Sequence, residues 1–258
     1  MVPKVSLVMP VYNCDRYVGA AIESVLSQTF SDFDLLIWDD GSTDQSLKVI
    51  RHYAELDPRV RVISAPHQGI APSLKAAFTA TTGTYIGSID SDDSLASTAL
   101  EKTVAILDTH LSVGLVYTNY HVMNEQGQNR GLGYRCQIPY SSDRLLLDFM
   151  TFHFRLMRRD VYEKAGGINT KFKRAEDYDL CLRLSELTEV HHLQQSLYYY
   201  RRHSKNVTNQ SLEMLYWAYK ASLQALKRRG LNHQYKLTLN LRGEFVLWQT
   251  NRLSLPKP

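Results

Sequence analysis

The chain has 258 residues, 44% hydrophobic and 22% charged, a composition that suits one large globular domain, alone or with a small extension. Its formal net charge of +4 is a mild excess that makes no demand for nucleic acid, although a weakly basic surface is compatible with peripheral contact with anionic lipid. No apolar run approaches the roughly 18 residues a membrane helix needs, and no signal peptide is visible. Cys14, Cys136 and Cys181 are odd in number and lack metal-type spacing, so the expectation is reduced thiols in a cytoplasmic protein, with peripheral attachment to the inner face of a membrane left open. Without a secretory signal, Asn206-Val207-Thr208 reads as a chance glycosylation match.

In chain order, Val5 to Met9 predicts a buried strand ended by Pro10. A helix follows from about Arg16, with Val18, Ala21, Ile22, Val25 and Leu26 on its apolar face. Asp34 to Trp38 is the second strand, and Ser42 with Gln45 forms a capping-box pattern for a helix buried through Leu47, Ile50 and Ala54. Val60 to Ile63 is the third strand, with a helix around Ser73 to Ala80 that Gly83 separates from a fourth strand, Tyr85 to Ile89. Ser97 or Thr98 caps the next helix, which turns Leu100, Val104 and Leu107 inward ahead of a strand at Val113 to Tyr117.

This alternation predicts a mostly parallel, Rossmann-like nucleotide-binding sheet covered by helices, with ligands at the carboxyl ends of its strands. After Asn119 the pattern changes. A hairpin over His121 to Arg135, a strand at Phe152 to Met157, a helix at Glu176 to Leu187 and an extended Val190 to Tyr200 suggest a mixed half that closes over the first. Residues 209–258 then read as a long helix with an apolar stripe (Leu212, Leu215, Tyr219, Leu223, Leu226) stopped at Gly230, and two short strands over Tyr235 to Gln249. The stripe is expected to pack on the domain. A homodimer contact is the alternative.

Two acidic clusters directly follow apolar runs: Asp39-Asp40-Gly41-Ser42-Thr43-Asp44 and Asp90-Ser91-Asp92-Asp93. If the two strands run parallel, both clusters emerge on one edge. Carboxylates crowded there repel one another, and a hard divalent cation relieves the repulsion. Oxygen ligands suit Mg²⁺ or Mn²⁺ better than zinc. Asp, Gly, Ser and Thr also build turns and helix caps, and that plainer reading is assigned to Asp44 and Asp93. Glu176-Asp177-Tyr178-Asp179 has the same two readings: helix-start stabilisation, expected of Asp179, or a base near an acceptor. His203, after an extended run, is a candidate ligand.

Together these residues resemble the family 2 glycosyltransferases of the GT-A fold. The likeness runs through Val5-Ser6-Leu7-Val8-Met9-Pro10-Val11-Tyr12-Asn13, the two acidic clusters, Gly83-Thr84-Tyr85-Ile86, Gly166-Gly167-Ile168-Asn169, Ala175-Glu176-Asp177-Tyr178-Asp179-Leu180 and Tyr200-Arg201-Arg202-His203. It covers about residues 4 to 208, taken as the catalytic domain, and leaves 209–258 as an extension.

The resemblance implies an inverting transfer of sugar from a nucleotide-diphosphate donor to a saccharide, lipid-linked or other hydroxyl acceptor, as in polysaccharide synthesis for the cell envelope. Pro10 and Tyr12 would border the nucleotide, with Tyr12 against the base. Asp40 would hydrogen-bond the base, which suggests uracil. Asp90 would contact the ribose or a metal-bound water, and Asp92 and His203 would hold Mn²⁺ or Mg²⁺. Asp177 would be the catalytic base and Glu176 its neighbour near the acceptor.

The chain departs from the pattern twice. Lys75 stands near where relatives carry Asn or Arg, and would serve the diphosphate. His67-Gln68-Gly69 replaces a commoner Asn-x-Gly. The segments Phe149 to Met157 and Tyr134 to Tyr140 are candidate acceptor walls. A nucleotidyltransferase is disfavoured because the loop after the first strand, Pro10-Val11-Tyr12-Asn13, has no glycine, and a dehydrogenase because no Gly-x-Gly-x-x-Gly follows that strand. A non-catalytic sugar-nucleotide-binding protein or scaffold remains, with retention of Asp177 counting against it.

Overall fold

The computed structural model describes residues 2–204, 206 and 211–239. Strand β1 (Val5–Val11) is buried along its whole length, as expected of a central strand covered on both faces. It pairs in parallel with β2 (Phe33–Asp39) on one side and β4 (Tyr85–Ser88) on the other, and β2 pairs in parallel with β3 (Val60–Ser64). Pro10 does not end β1. Val8 accepts a hydrogen bond from Ile89 on the β4 side, and Pro10, two residues on, faces that same side beyond the last residue of β4. Its missing N–H therefore costs no ladder bond.

Helices α1 (Val18–Leu26), α2 (Ser46–Leu56), α3 (Ile70–Thr79) and α4 (Ala99–Thr109) connect these strands and cover the sheet. The faces read from the sequence are inside: Val18, Ala21, Ile22 and Val25 on α1, Ile50 on α2, and Leu100, Val104 and Leu107 on α4 are all buried. Each of these Val, Ile and Leu side chains removed from water contributes about 1.5–3 kcal/mol.

The expected capping box is absent. Helix α2 starts at Ser46, four residues after Ser42. Asp44 accepts from the Ser46 N–H at 2.9 Å and thereby caps the helix. Ser42 and Ser46 instead accept from the N–H groups of Asn13 and Cys14, tying the loop after β1 to the loop after β2. Thr98 precedes α4 without a side-chain cap bond.

The later strands do not form a separate half closing over the first. β5 (Ser94–Leu95), β6 (Val113–Met123), β7 (Asn129–Leu132), β8 (Arg155–Arg158) and β9 (Glu189–Arg201) extend the same sheet, in the order β3-β2-β1-β4-β8-β6-β9-β5 with β7 beside β6. Strand β8 is antiparallel to both β4 and β6, so it separates two strands that the alternation alone makes neighbours. The hairpin over β6 and β7 turns through residues 124–128, as its sequence predicts.

Gly83, just before β4, packs against β1: a Cβ there would lie 2.5 Å from the Ser6 amide nitrogen. Helix α5 (Arg159–Lys164) follows β8, and α6 (Glu176–Leu184) precedes β9. Helix α7 (Ser211–Arg228) buries Ala221, Ala225 and Leu226 in a cluster shared with Tyr178, Leu180 and Leu182 of α6. Arg228 and Arg229 both pair with Glu186. Residues 235–239, where the tail's first strand is expected, carry no regular structure, and the rest of that pair lies outside the described residues. Among the described residues no helix is long and apolar enough to cross a membrane.

Candidate active site

Because β2 and β4 both run parallel to β1, the two acidic clusters emerge on one edge of the sheet. Within the first cluster, Asp39 is structural: it accepts from the Ser42 N–H and the Ser64 hydroxyl. Asp40 is buried and holds the loop before α3, accepting from the N–H of Gln68 (Oδ1) and of Gly69 (Oδ2), each at 2.9 Å. The His67 imidazole lies 2.8 Å from Asp40 Oδ2 and stacks on Tyr12 with ring centroids 4.0 Å apart. Pro10 and Tyr12 end β1 beside this cluster. Lys75 is exposed on α3, and no hydrogen bond or ion pair among the described residues ties its ammonium to the cleft.

The second cluster divides in the same way. Asp93 is fully buried and accepts from the Tyr198 hydroxyl and the Arg201 N–H, each at 2.7 Å, so it anchors the turn to the end of β9. Arg201 also donates to the Asp92 carbonyl at 2.7 Å. That leaves the Asp92 carboxylate for the cleft, where Oδ2 lies 2.8 Å from His203 Nε2. His203 stacks on Tyr17. Two residues 111 apart in sequence thus present adjacent donor atoms. One carboxylate and one imidazole suit Mn²⁺ directly, and Mg²⁺ with more oxygen from a diphosphate.

Asp90 stands between the two sides of the cleft. Although 44% of its side chain is open, desolvation at the cleft floor and then the charges of Asp92 and Asp177 push its carboxyl up to about 7, against the pull of Arg155. His153, at the start of β8, approaches it at 3.6 Å and stacks on Tyr198. Burial, then Arg155 and Arg135, hold His153 well below its ordinary pKa, so it is neutral here. Asp90, Asp93 and His153 come close enough to suggest a second cation site, but Tyr198 and Arg201 already use both oxygens of Asp93.

Helix α6 supplies the opposing wall. Its first turn carries Glu176, Asp177 and Asp179, where the helix dipole favours negative charge. Asp179 is fully buried and paired with Arg183 at 2.7 Å, a structural role. Asp177 faces the cleft with 27% of its side chain exposed, and the buried Arg155 grips its Oδ2 at 3.1 Å. Glu176 is buried; desolvation, then Asp177 and Asp90, raise its carboxyl to about 8.

The cleft therefore gathers Asp90, Asp92, Glu176, Asp177 and His203, while Tyr12 lies one strand away and Asp40 two strands away on the same edge. The sequence alone assigns no individual role to Arg155, His153, His67 or Arg201. A signal for the first two was present: His153 and Arg155 interrupt the apolar run Phe152 to Met157. The two candidate acceptor segments do meet, with the Arg135 guanidinium 4.4 Å from the Phe152 ring centroid and 5.3 Å from that of Phe149.

A twisted sheet presenting acidic turns at its carboxyl edge, faced by an acidic helix start, defines the class of nucleotide-sugar glycosyltransferases with the GT-A fold. The sequence matches the model of the family described as Glycosyl transferase family 2 over residues 6–166, and the chain belongs to that family. It is 33% identical over 242 residues to a chondroitin synthase of Escherichia coli, covering 93% of this chain and 35% of that protein. It is 35% identical to a hyaluronan synthase of Pasteurella multocida, covering 82% of this chain and 22% of that protein. The chain thus spans about a third or less of the length of these two synthases. A putative glycosyltransferase of Bacillus subtilis, EpsE, is 33% identical, with 78% of this chain and 74% of that protein covered. Among solved structures, S. aureus TarS 1-349 in complex with UDP-GlcNAc superposes with a TM-score of 0.67 at 18% identity, covering 91% of this chain and 76% of that one. Mannosyltransferase PcManGT from Pyrobaculum calidifontis, in complex with GDP-Man and Mn²⁺, gives 0.66 at 15% identity, covering 92% and 77%. Both likenesses establish the fold.

Proposed function

We propose that the protein transfers a sugar from a nucleotide-diphosphate donor, a UDP-sugar, to an acceptor hydroxyl with inversion at the anomeric carbon. The observation that carries this reading is the convergence of Asp92, His203, Asp90, Glu176 and Asp177 from three distant stretches of chain around one cleft. Tyr12 stacks the base, Asp40 hydrogen-bonds its edge, Pro10 borders it, and Asp90 takes the ribose. Lys75 is assigned to the diphosphate on sequence position alone.

Asp92 and His203 hold a divalent cation, Mn²⁺ or Mg²⁺, which when bound offsets the charge that develops on the departing nucleoside diphosphate. Asp177 accepts the proton of the acceptor hydroxyl as the oxygen attacks opposite the leaving group. Arg155 keeps that carboxylate turned into the cleft. Glu176, protonated near neutrality, offers a hydrogen-bond donor to an acceptor hydroxyl, where a second carboxylate would repel Asp177. The names of the chondroitin and hyaluronan synthase relatives favour a saccharide acceptor and a place in polysaccharide synthesis.

The test is a panel of UDP-sugars with Mn²⁺ and saccharide acceptors, scored for binding, transfer and slow donor hydrolysis. Turnover with at least one pair is expected. Tight binding with neither transfer nor hydrolysis in any pair would mark a sugar-nucleotide-binding protein instead.

A further inference from the structure

We infer that the imidazole of His67 is a built-in occupant of the nucleobase slot, which the donor's base must displace to bind. This rests on the reading of Tyr12 and Asp40 as the base-binding pair. His67 lies on Tyr12 as a nucleobase would, with centroids 4.0 Å apart and an interplanar angle of 22°. Its Nδ1 is 3.0 Å from the Asp40 carbonyl oxygen and 2.8 Å from Oδ2. Both are acceptors, so Nδ1 carries the hydrogen and donates. A uracil needs the same two things: an aromatic face to stack on and a carboxylate to receive its ring N–H.

The two occupants compete for the same face of Tyr12 and for Asp40 Oδ2, where the Gly69 N–H and His67 Nδ1–H already use about two lone-pair sites; Oδ1 accepts only the Gln68 N–H. The backbone under His67 has no room to retreat. Gly41, at φ +74°, packs so closely that a Cβ would lie 2.8 Å from the His67 nitrogen, and Asp40 clamps the next two amides. The side chain is the free part: His67 is 51% exposed, and rotation about χ1 carries the ring off Tyr12 into solvent. Tyr12, itself 47% exposed, is then open to a base. His67 thereby sets a threshold that a ring must exceed in both stacking and hydrogen bonding, so it tunes which bases enter.

Titration calorimetry with uridine and with UDP on wild type, His67→Ala and Tyr12→Ala tests this. Losing a stacked ring competitor is expected to tighten both ligands by about three- to tenfold, and by the same factor because the effect lies at the base. Unchanged or weaker binding in His67→Ala overturns the proposal. If Tyr12→Ala leaves UDP affinity intact, the base-site assignment falls and the proposal with it. If Tyr12→Ala weakens UDP while His67→Ala gives no gain, only the proposal for His67 falls. A second readout leaves the chain unaltered: the Cε1–H resonance of His67 in the wild-type protein, identified by its loss in the variant, should shift on saturation with uridine as the ring leaves Tyr12. A resonance that does not move refutes displacement.

Discussion

Replacing Glu176 with glutamine should make the protein more stable at alkaline pH, which is unusual for a change at a proposed active site. In the folded chain burial and the neighbouring Asp177 and Asp90 raise this carboxyl from an ordinary 4.5 to about 8. Between those values the folded state keeps a proton that the unfolded chain has released. Stability from this group is therefore complete below pH 4.5 and is lost as pH rises through about 8. At about 1.4 kcal/mol per pH unit, the gap sets a ceiling of about 5 kcal/mol; coupling to the neighbouring Asp90 carboxyl relaxes part of it, so about 2–4 kcal/mol is expected. Glutamine keeps the shape without the ionisation. The assay is urea unfolding at pH 5, 7 and 9 in EDTA, so that no cation offsets the carboxylates. Other groups titrate as well, Asp93 among them, but those that do not interact with Glu176 cancel to first order in the difference between wild type and variant. The variant should gain on wild type from pH 5 to pH 9. Parallel profiles would mean that Glu176 ionises freely in the folded protein and would refute the account of a desolvated, acid-crowded helix start.

Asp177→Asn should lower kcat by about 10²–10⁴-fold while donor affinity, measured by calorimetry, changes little; wild-type turnover removes Asp177 from the base role. Asp92→Ala should abolish the Mn²⁺-dependent part of donor binding, leaving an affinity equal to that of wild type in EDTA; a wild-type donor affinity indifferent to EDTA would count against this metal pair. Gly83→Ala forces a methyl group against the backbone of Ser6, which has no side-chain freedom to yield, so a loss of about 3 kcal/mol and a drop of roughly 6–12 °C in Tm are expected. An unaltered melting curve would show that β1 and the turn before β4 adjust more readily than their contact implies.

The parallel half of the fold was legible because its signals are local. Val5 to Val11 is apolar apart from Ser6 because helices cover both faces of the sheet, and the helix stripes recur at the 3.6-residue period. Strand ends and caps were less legible because partners distant in sequence decide them. Pro10 stays in β1 because β4 is short, and Ser42 fails to cap α2 because the Asn13 amide claims its hydroxyl. The carboxylates proposed for catalysis were visible as clusters, and the turn-and-cap roles of Asp44, Asp93 and Asp179 stood beside them. The basic side chains were hidden. Arg155 and His153 lie in a run of apolar residues with no motif around them, and their meaning depends on which strand β8 adjoins.

Strand order is what brings Arg155 and His153 to the carboxylates. Parallel strands all deliver their last residues to one edge, and here that edge collects Asp40 after β2, Asp90 and Asp92 after β4, and Arg201 with His203 at the end of β9. A sheet built only this way would gather acidic turns with little positive charge placed among them. Strand β8 runs the other way between β4 and β6, so it brings its first residues to the same edge. His153 arrives opposite Asp90, and Arg155 within 3.1 Å of Asp177 on the far wall. A buried guanidinium on a strand is held more firmly than one on a loop, and it fixes one oxygen of the carboxylate assigned to take the acceptor's proton. The antiparallel strand inserted between β4 and β6, where the sequence predicts a mixed half closing over the parallel one, is thus the feature that lets one edge hold so many acidic groups at working distance from one another.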